Sequence, residues 1–199
     1  FEGGDSGVYK VSENKLIFGA SIRGGTNSPR FLFWTENSVI YLTNVADPAN
    51  AQQPVDFQRE EVTTNSSLMS SRAVVQYDSL FFWLGTDRIF VYNGIVDSVK
   101  NDVNFEYFLE NVDLDKRQKI YGYKVARYGE VRWAYPEKAN RNEPNIGCTR
   151  ELVYNVRENS WYDTAIRRDC VTVYEATGDI FSYGESCTNY PYNPANTYK

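Results

Sequence analysis

The sequence predicts an all-β protein of antiparallel, β-propeller-like blades, about three to four of them, with a short helical insertion near residues 101–119. Three observations predict it. The first is a recurring motif, in which an aromatic-rich run reaches a tryptophan, a short polar turn follows, and a second apolar run returns. It reads Phe31-Leu32-Phe33-Trp34, then Thr35 to Ser38, then Val39-Ile40-Tyr41-Leu42. It recurs as Leu80-Phe81-Phe82-Trp83, a turn over Leu84 to Asp87, and Arg88 to Gly94. A looser copy joins Glu130 to Tyr135 with Glu151-Leu152-Val153-Tyr154-Asn155 across a long loop. The second is the spacing: Trp34, Trp83 and Trp133 stand 49 and 50 residues apart, the size of one four-stranded blade. The third is composition. Sixteen tyrosines, eleven phenylalanines and four tryptophans against a single methionine favour strands over helices.

Taken in order, residues 7–22 read as a hairpin. Val8, Tyr9 and Val11 lead to a polar turn at Ser12-Glu13-Asn14, and Leu16-Ile17-Phe18 begins the return. Arg23 to Pro29 is a loop by its glycines and proline. With the first tryptophan motif, residues 7–43 become four consecutive antiparallel strands, and 46–54 a linker. The second unit then opens on Asp56 to Val62, charged at alternate positions as an edge strand is. Ala73 to Tyr77, a turn at Asp78-Ser79 and the second motif complete it, and Asn93-Gly94 is a strong turn dipeptide.

The rhythm breaks at 101–119. Asp102 is placed to cap a helix whose Phe105, Phe108 and Leu109 share a face, and Asp113 to Lys119 reads as a second short helix. Acidic residues come first and basic ones last in it, as the helix dipole prefers. Together they are expected between blades, as a packing or interface insertion. Strands resume from Ile120 to Arg127, turn at Tyr128-Gly129 and run through Tyr135. Pro136 to Asn145 is an exposed loop, Asn155 to Ser160 a hairpin turn, and Val171 to Tyr174 with Ile180 to Tyr183 begins an unfinished unit. Blade-like units therefore span about 7–45, 54–98, 120–166 and 168–187, the last incomplete, and the tail around Tyr190 to Pro194 is extended. Three and a half blades do not close a ring. The chain opens on Phe1 rather than methionine, and the expectation is a segment of a longer polypeptide, or blades shared within a larger assembly.

A net charge of −5 with interspersed signs argues against gripping nucleic acid through its phosphates, and fits ordinary solubility. It is also compatible with lining a channel through which DNA slides. No apolar run approaches the length of a membrane span. The absence of histidine removes Ser-His-Asp and Cys-His catalysis and every His-ligated metal. Cys148, Cys170 and Cys187 lack a C-x-x-C spacing and read as reduced thiols; a Cys170–Cys187 bridge stays open. Gly3-Gly4 and Gly24-Gly25 lack the partners of a phosphate loop or a dinucleotide fingerprint.

Carboxylates remain as candidate acid and base. Asp87, Glu130, Glu151 and Asp163 lie near strand ends, where a glycoside hydrolase wants such a pair, but the Ser-x-Asp-x-Gly-x-x-Trp box of sialidases is missing. The tryptophans are candidate sugar platforms, yet equivalent positions in a repeat fill equivalent core sites; Trp161, after a polar turn, is left open. Asn65-Ser66-Ser67 fits a glycosylation acceptor and, more simply, a loop. Asp169, Glu175 and Asp179 are acidic without the loop that frames a calcium site. No catalytic, cofactor or metal residue is assigned.

The order of motifs resembles one family. Trp83-Leu84-Gly85-Thr86-Asp87-Arg88-Ile89-Phe90-Val91-Tyr92-Asn93-Gly94 is similar to a W-x-G-x-D-x-I-x-x-Y-N-G signature of bacteriophage tail proteins. Trp133-Ala134-Tyr135-Pro136, Leu152-Val153-Tyr154-Asn155 and Asn159-Ser160-Trp161 follow in the matching order, and Ser28-Pro29-Arg30 with Trp34-Thr35 and Ser38-Val39 fits upstream. The resemblance, to the tail nozzle or tail tubular protein B-type family of short-tailed phages, covers roughly residues 15–165. It implies a non-enzymatic structural protein of the virion, assembled in the bacterial cytoplasm. It further implies a ring, commonly hexameric, around the DNA exit channel, in contact with adaptor and tail fibre or spike proteins and without cofactors. Alternatives are a carbohydrate-binding or glycan-degrading propeller, and a protein-interaction propeller using tyrosine-rich loops.

Overall fold

The computed structural model describes residues 14–22, 30–45, 56–63, 65–100, 103–142, 147–174 and 179–183. Three four-stranded sheets and one hairpin follow each other along the chain, every one an antiparallel meander. The first sheet is β1 (Leu16–Ile22), β2 (Arg30–Thr35), β3 (Val39–Val45) and β4 (Asp56–Thr63). The second is β5 (Val74–Tyr77), β6 (Leu80–Leu84), β7 (Ile89–Tyr92) and β8 (Val96–Val99). The third is β9 (Tyr121–Val125), β10 (Glu130–Tyr135), β11 (Cys148–Asn155) and β12 (Ser160–Arg168). β13 (Cys170–Tyr174) and β14 (Asp179–Tyr183) pair with each other. The expected all-β, antiparallel class is therefore observed. Among the described residues no helix is long and apolar enough to cross a membrane.

Each tryptophan motif is the central hairpin of a sheet. Trp34 pairs with Val39, Trp83 with Phe90 and Trp133 with Leu152, and all three indoles are fully buried. The sheets stack face to face in chain order. Trp34 of the first sheet lies 5.5 Å from Phe81 and 5.6 Å from Trp83 of the second. Alternation along β6 turns Phe82 to the other face, where its ring meets Tyr154 of the third sheet at 5.7 Å. The opening strands of these two sheets adjoin. Arg72, just before β5, bridges in parallel to Tyr121 of β9, the Gly122 amide donates to the Arg72 carbonyl, and the Trp133 indole donates to the Ala73 carbonyl. The approach is close enough that a Cβ on Gly122 would lie 2.3 Å from a methyl of Val75. On the far face of the third sheet, Val171 and Val173 of β13 cover Tyr121, Tyr123, Val125, Ala134 and Cys148.

The grouping of strands needs correction. The first sheet is not completed within residues 7–43: Asp56–Thr63, expected to open the second unit, pairs with β3 from Val45↔Asp56 to Ile40↔Glu61. The stretch expected as an inter-unit linker thus joins two strands of one sheet. The expected strand over Val8 to Val11 lies outside the described residues. The second sheet instead gains β8, whose four residues alternate too briefly to signal a strand. Asn93-Gly94 turns the chain into it, Gly94 taking the positive φ of 112° that suits glycine.

The helical insertion is present as α1 (Val103–Asn111) and a 3-10 stretch, Leu114–Lys119. The expected cap Asp102 lies outside the described residues. The insertion borders two sheets: Phe105 and Leu109 line a depression with Ile89 and Val99 of the second, while Phe108 meets Tyr135 of the third edge-on at 4.8 Å and the Asp113 amide donates to the Pro136 carbonyl.

Candidate functional site

The third sheet holds three of the four carboxylates that the sequence offers as acid or base. Along β10, Glu130 and Arg132 alternate with the core residues Val131 and Trp133, so they share the face covered by β13. Glu151 of β11 and Tyr123 of β9 stand on the same face. Arg132 donates to Glu130 at 2.9 Å from Nε and 2.6 Å from a terminal nitrogen, and pairs with Glu151 at 3.5 Å. The Tyr123 hydroxyl donates a very short hydrogen bond to Glu151, Arg168 approaches Glu151 at 3.7 Å, and the Tyr162 hydroxyl donates to Glu130 at 2.7 Å. Two carboxylates thus meet two guanidiniums, with Glu151 fully buried. A buried charge held this way is neutralised and fixed in place rather than presented to a substrate.

Electrostatics follow the geometry. Burial, then the Glu151 charge and hydrogen bond, push the Tyr123 hydroxyl far above the usual phenol range. Tyr162 is pushed up to about 12 by burial and by its bond to Glu130. Burial acts against the Arg132 charge, but the hydrogen bond to Glu130 together with the nearby Tyr123, Glu130 and Tyr162 groups outweighs it, and the guanidinium is held still more firmly protonated. The Cys148 thiol is pushed up to about 12, chiefly by burial, which makes it a poor nucleophile.

Asp163 lies on the opposite face, paired across from Leu152. It accepts from the Tyr135 hydroxyl at 2.7 Å and from Arg150 Nε at 2.6 Å, while the Arg150 guanidinium stacks 5.2 Å from the Tyr107 ring centre. Asp87 is in the second sheet's β6–β7 turn, exposed and paired to Arg88 at 2.8 Å, beside a depression of about 420 Å³. The structure brings Glu130 and Glu151 together through Arg132, and leaves Asp163 and Asp87 apart from them.

The tryptophans do not form exposed platforms. Trp161, left open by the sequence, is half-buried and stacks on Tyr154 at 4.3 Å and on Trp133 at 6.3 Å. Cys170 is exposed and free, and Cys187 lies outside the described residues, so their bridge does too. Glu175 also lies outside them, and among the described residues no three His, Cys, Asp or Glu side chains gather to hold a metal.

A feature that sequence reasoning missed lies at one end of the stack. An antiparallel meander puts the β2–β3 turn, the β6–β7 turn and the connectors into β5 and β9 at the same end. The connector 65–72 is tied to both sheets it joins: the Ser66 amide donates to the Asn37 carbonyl at 3.1 Å, and the Met69 amide to the Leu84 carbonyl at 2.9 Å. Between these loops runs a polar groove of about 770 Å³. Its wall includes the Ser67 hydroxyl, which accepts from the Thr86 amide at 2.8 Å and the Thr86 hydroxyl at 2.9 Å. Asn65 of the glycosylation-like triplet is exposed beside it, while Ser66 is buried. Lys15, Arg72 and Arg117 bring cations to the groove and Glu36 a carboxylate. No local motif announces the groove, because its charges come from segments about a hundred residues apart in the chain.

No protein-family model matches the chain, and no curated protein matches it.

Proposed function

We propose that this chain is a structural component of a bacteriophage tail, a nozzle or hub scaffold whose stacked sheets are blades of a propeller. One observation carries the propeller part of this reading. The sheets stack in chain order, and the third and fourth units each set their first strand beside the first strand of the one before: β9 beside β5, and β13 beside β9. Blades around an axis have that arrangement, with opening strands innermost.

The tail part rests on the resemblance of the motif order, and its large apolar residues share one structural role. Trp83, Trp133, Leu152 and Tyr154 are buried where neighbouring sheets meet. A signature of inter-sheet core residues joined by turn residues such as Gly94 fits a scaffold, whose function is geometry. The ion-paired carboxylates favour this reading over a glycosidase, which needs one acid free to give a proton and another free to attack or to activate water. In this role the chain forms a ring, commonly of six copies, and binds adaptor and fibre or spike proteins. DNA passes through without specific contacts.

The test is incorporation into particles. Virions purified from cells that encode this chain, analysed by mass spectrometry and by immunogold microscopy, are expected to carry it in several copies at the tail. Its absence from all particles, together with hydrolysis of a bacterial surface glycan by the purified chain, would overturn the proposal.

A further inference from the structure

The groove at the connector end holds charges that the fold does not use. Lys15 and Arg117 are exposed and have no carboxylate partner among the described residues. Arg72 donates to the neutral Gln118 carbonyl at 3.0 Å, which orients its guanidinium without cancelling its charge. Among the described residues that line the groove the one carboxylate is Glu36, so cations outnumber anions there by three to one. The chain as a whole carries a charge of −5, so this groove is a local reversal of sign. Such a reversal concentrates anionic partners at one place while the rest of the surface repels them.

The remaining lining narrows the ligand class. Ser67, Ser70, Thr86 and Asn37 make the rest of the wall polar, and among the described residues no Trp, Tyr or Phe lines the groove. Sugar rings and nucleobases are held by stacking on aromatic faces, which this lining does not offer. An extended polypeptide rich in Asp or Glu matches it better, with carboxylates for the cations and peptide groups for the hydroxyls. The volume, about 770 Å³, is within the range of ligand clefts, which run from roughly 300 to 1,000 Å³. We propose that the groove bordered by Lys15, Arg72 and Arg117 is a docking site for an acidic segment of a partner protein. It holds whether or not the chain is a tail protein.

Fluorescence anisotropy with a labelled ten-residue Glu–Ser repeat peptide tests it on the whole chain, with a Gln–Ser repeat as control. Saturable binding of the acidic peptide alone is expected at low salt, falling steeply as salt shortens the reach of the charges. The double variant Lys15→Gln, Arg117→Gln should weaken it about fivefold, the scale of two exposed ion pairs. Glu36→Gln should strengthen it about twofold, a gain that misfolding does not produce. Equal binding of both peptides, or an affinity indifferent to these variants, would overturn the proposal. So would heparin binding through Lys15 and Arg117 when the acidic peptide does not bind, since the ligand class would then be a sulfated glycan.

Discussion

Cys148 opens β11 with 1% of its surface exposed, packed beside Tyr121 and with its sulfur 3.4 Å from the Lys119 carbonyl. Burial raises its pKa from 9.0 to about 12, so the folded protein holds the thiol proton where the unfolded chain has released it. The unfolded state then binds fewer protons, and stability falls as pH rises. The contribution is complete below pH 9.0 and is lost progressively toward pH 12. At pH 10 the loss is on the order of 1 kcal/mol. Urea denaturation at pH 8 and pH 10 should show a loss in the wild type, to which the raised Tyr123 and Tyr162 hydroxyls add, and one smaller by the thiol's share in Cys148→Ala. Equal losses would show that this thiol is not the source. The acids of the same sheet teach a related lesson. Glu130, Glu151 and Asp163 were legible as strand residues, but not their partners. The arginines that hold them lie two residues away on the same strand, as Arg132 does for Glu130, or across a strand pair, as Arg150 does for Asp163. A search for catalytic pairs weighs acids alone and passes over the cations between them.

Among the elements, the helical insertion shows where local signals suffice and where they stop. The apolar spacing of Phe105, Phe108 and Leu109 and the acidic start of the 3-10 stretch were both visible in the sequence. What fixes the insertion was not. Fully buried Asp113 caps the 3-10 stretch through the Asp115 amide and accepts from Arg141 at 3.1 Å, and Lys138 donates to the Glu110 carbonyl at 2.7 Å near the end of α1. Both basic residues come from the β10–β11 loop, which the sequence offered only as an exposed stretch. Asp113→Ala removes the cap and leaves Arg141 and Lys116 to hydrate, so a loss of about 1–2 kcal/mol is expected. Asp113→Asn keeps a capping acceptor and should lose less. Chemical denaturation ranks the two, and equal losses would locate the effect in the charge instead of the cap.

For the molecule as a whole, the 49- and 50-residue spacing was readable because each tryptophan fills the same place, the middle of a sheet against its neighbour. The grouping of strands into sheets was not readable. Any four consecutive strands of a periodic series have the same period, so the sequence does not distinguish Asp56–Thr63 as the close of one sheet from the start of the next. Only its pairing with β3 decides that. The groove was hidden for a similar reason, since its cations become neighbours only when the sheets stack. The central claim is that this stack is a scaffold working in a closed assembly. Native mass spectrometry of the purified full chain, with negative-stain microscopy of the same sample, tests it most directly. The account predicts one homo-oligomer of defined copy number, seen end-on as a ring around a central channel. A monodisperse monomer at every concentration from micromolar upward, with no ring in the images, would contradict it.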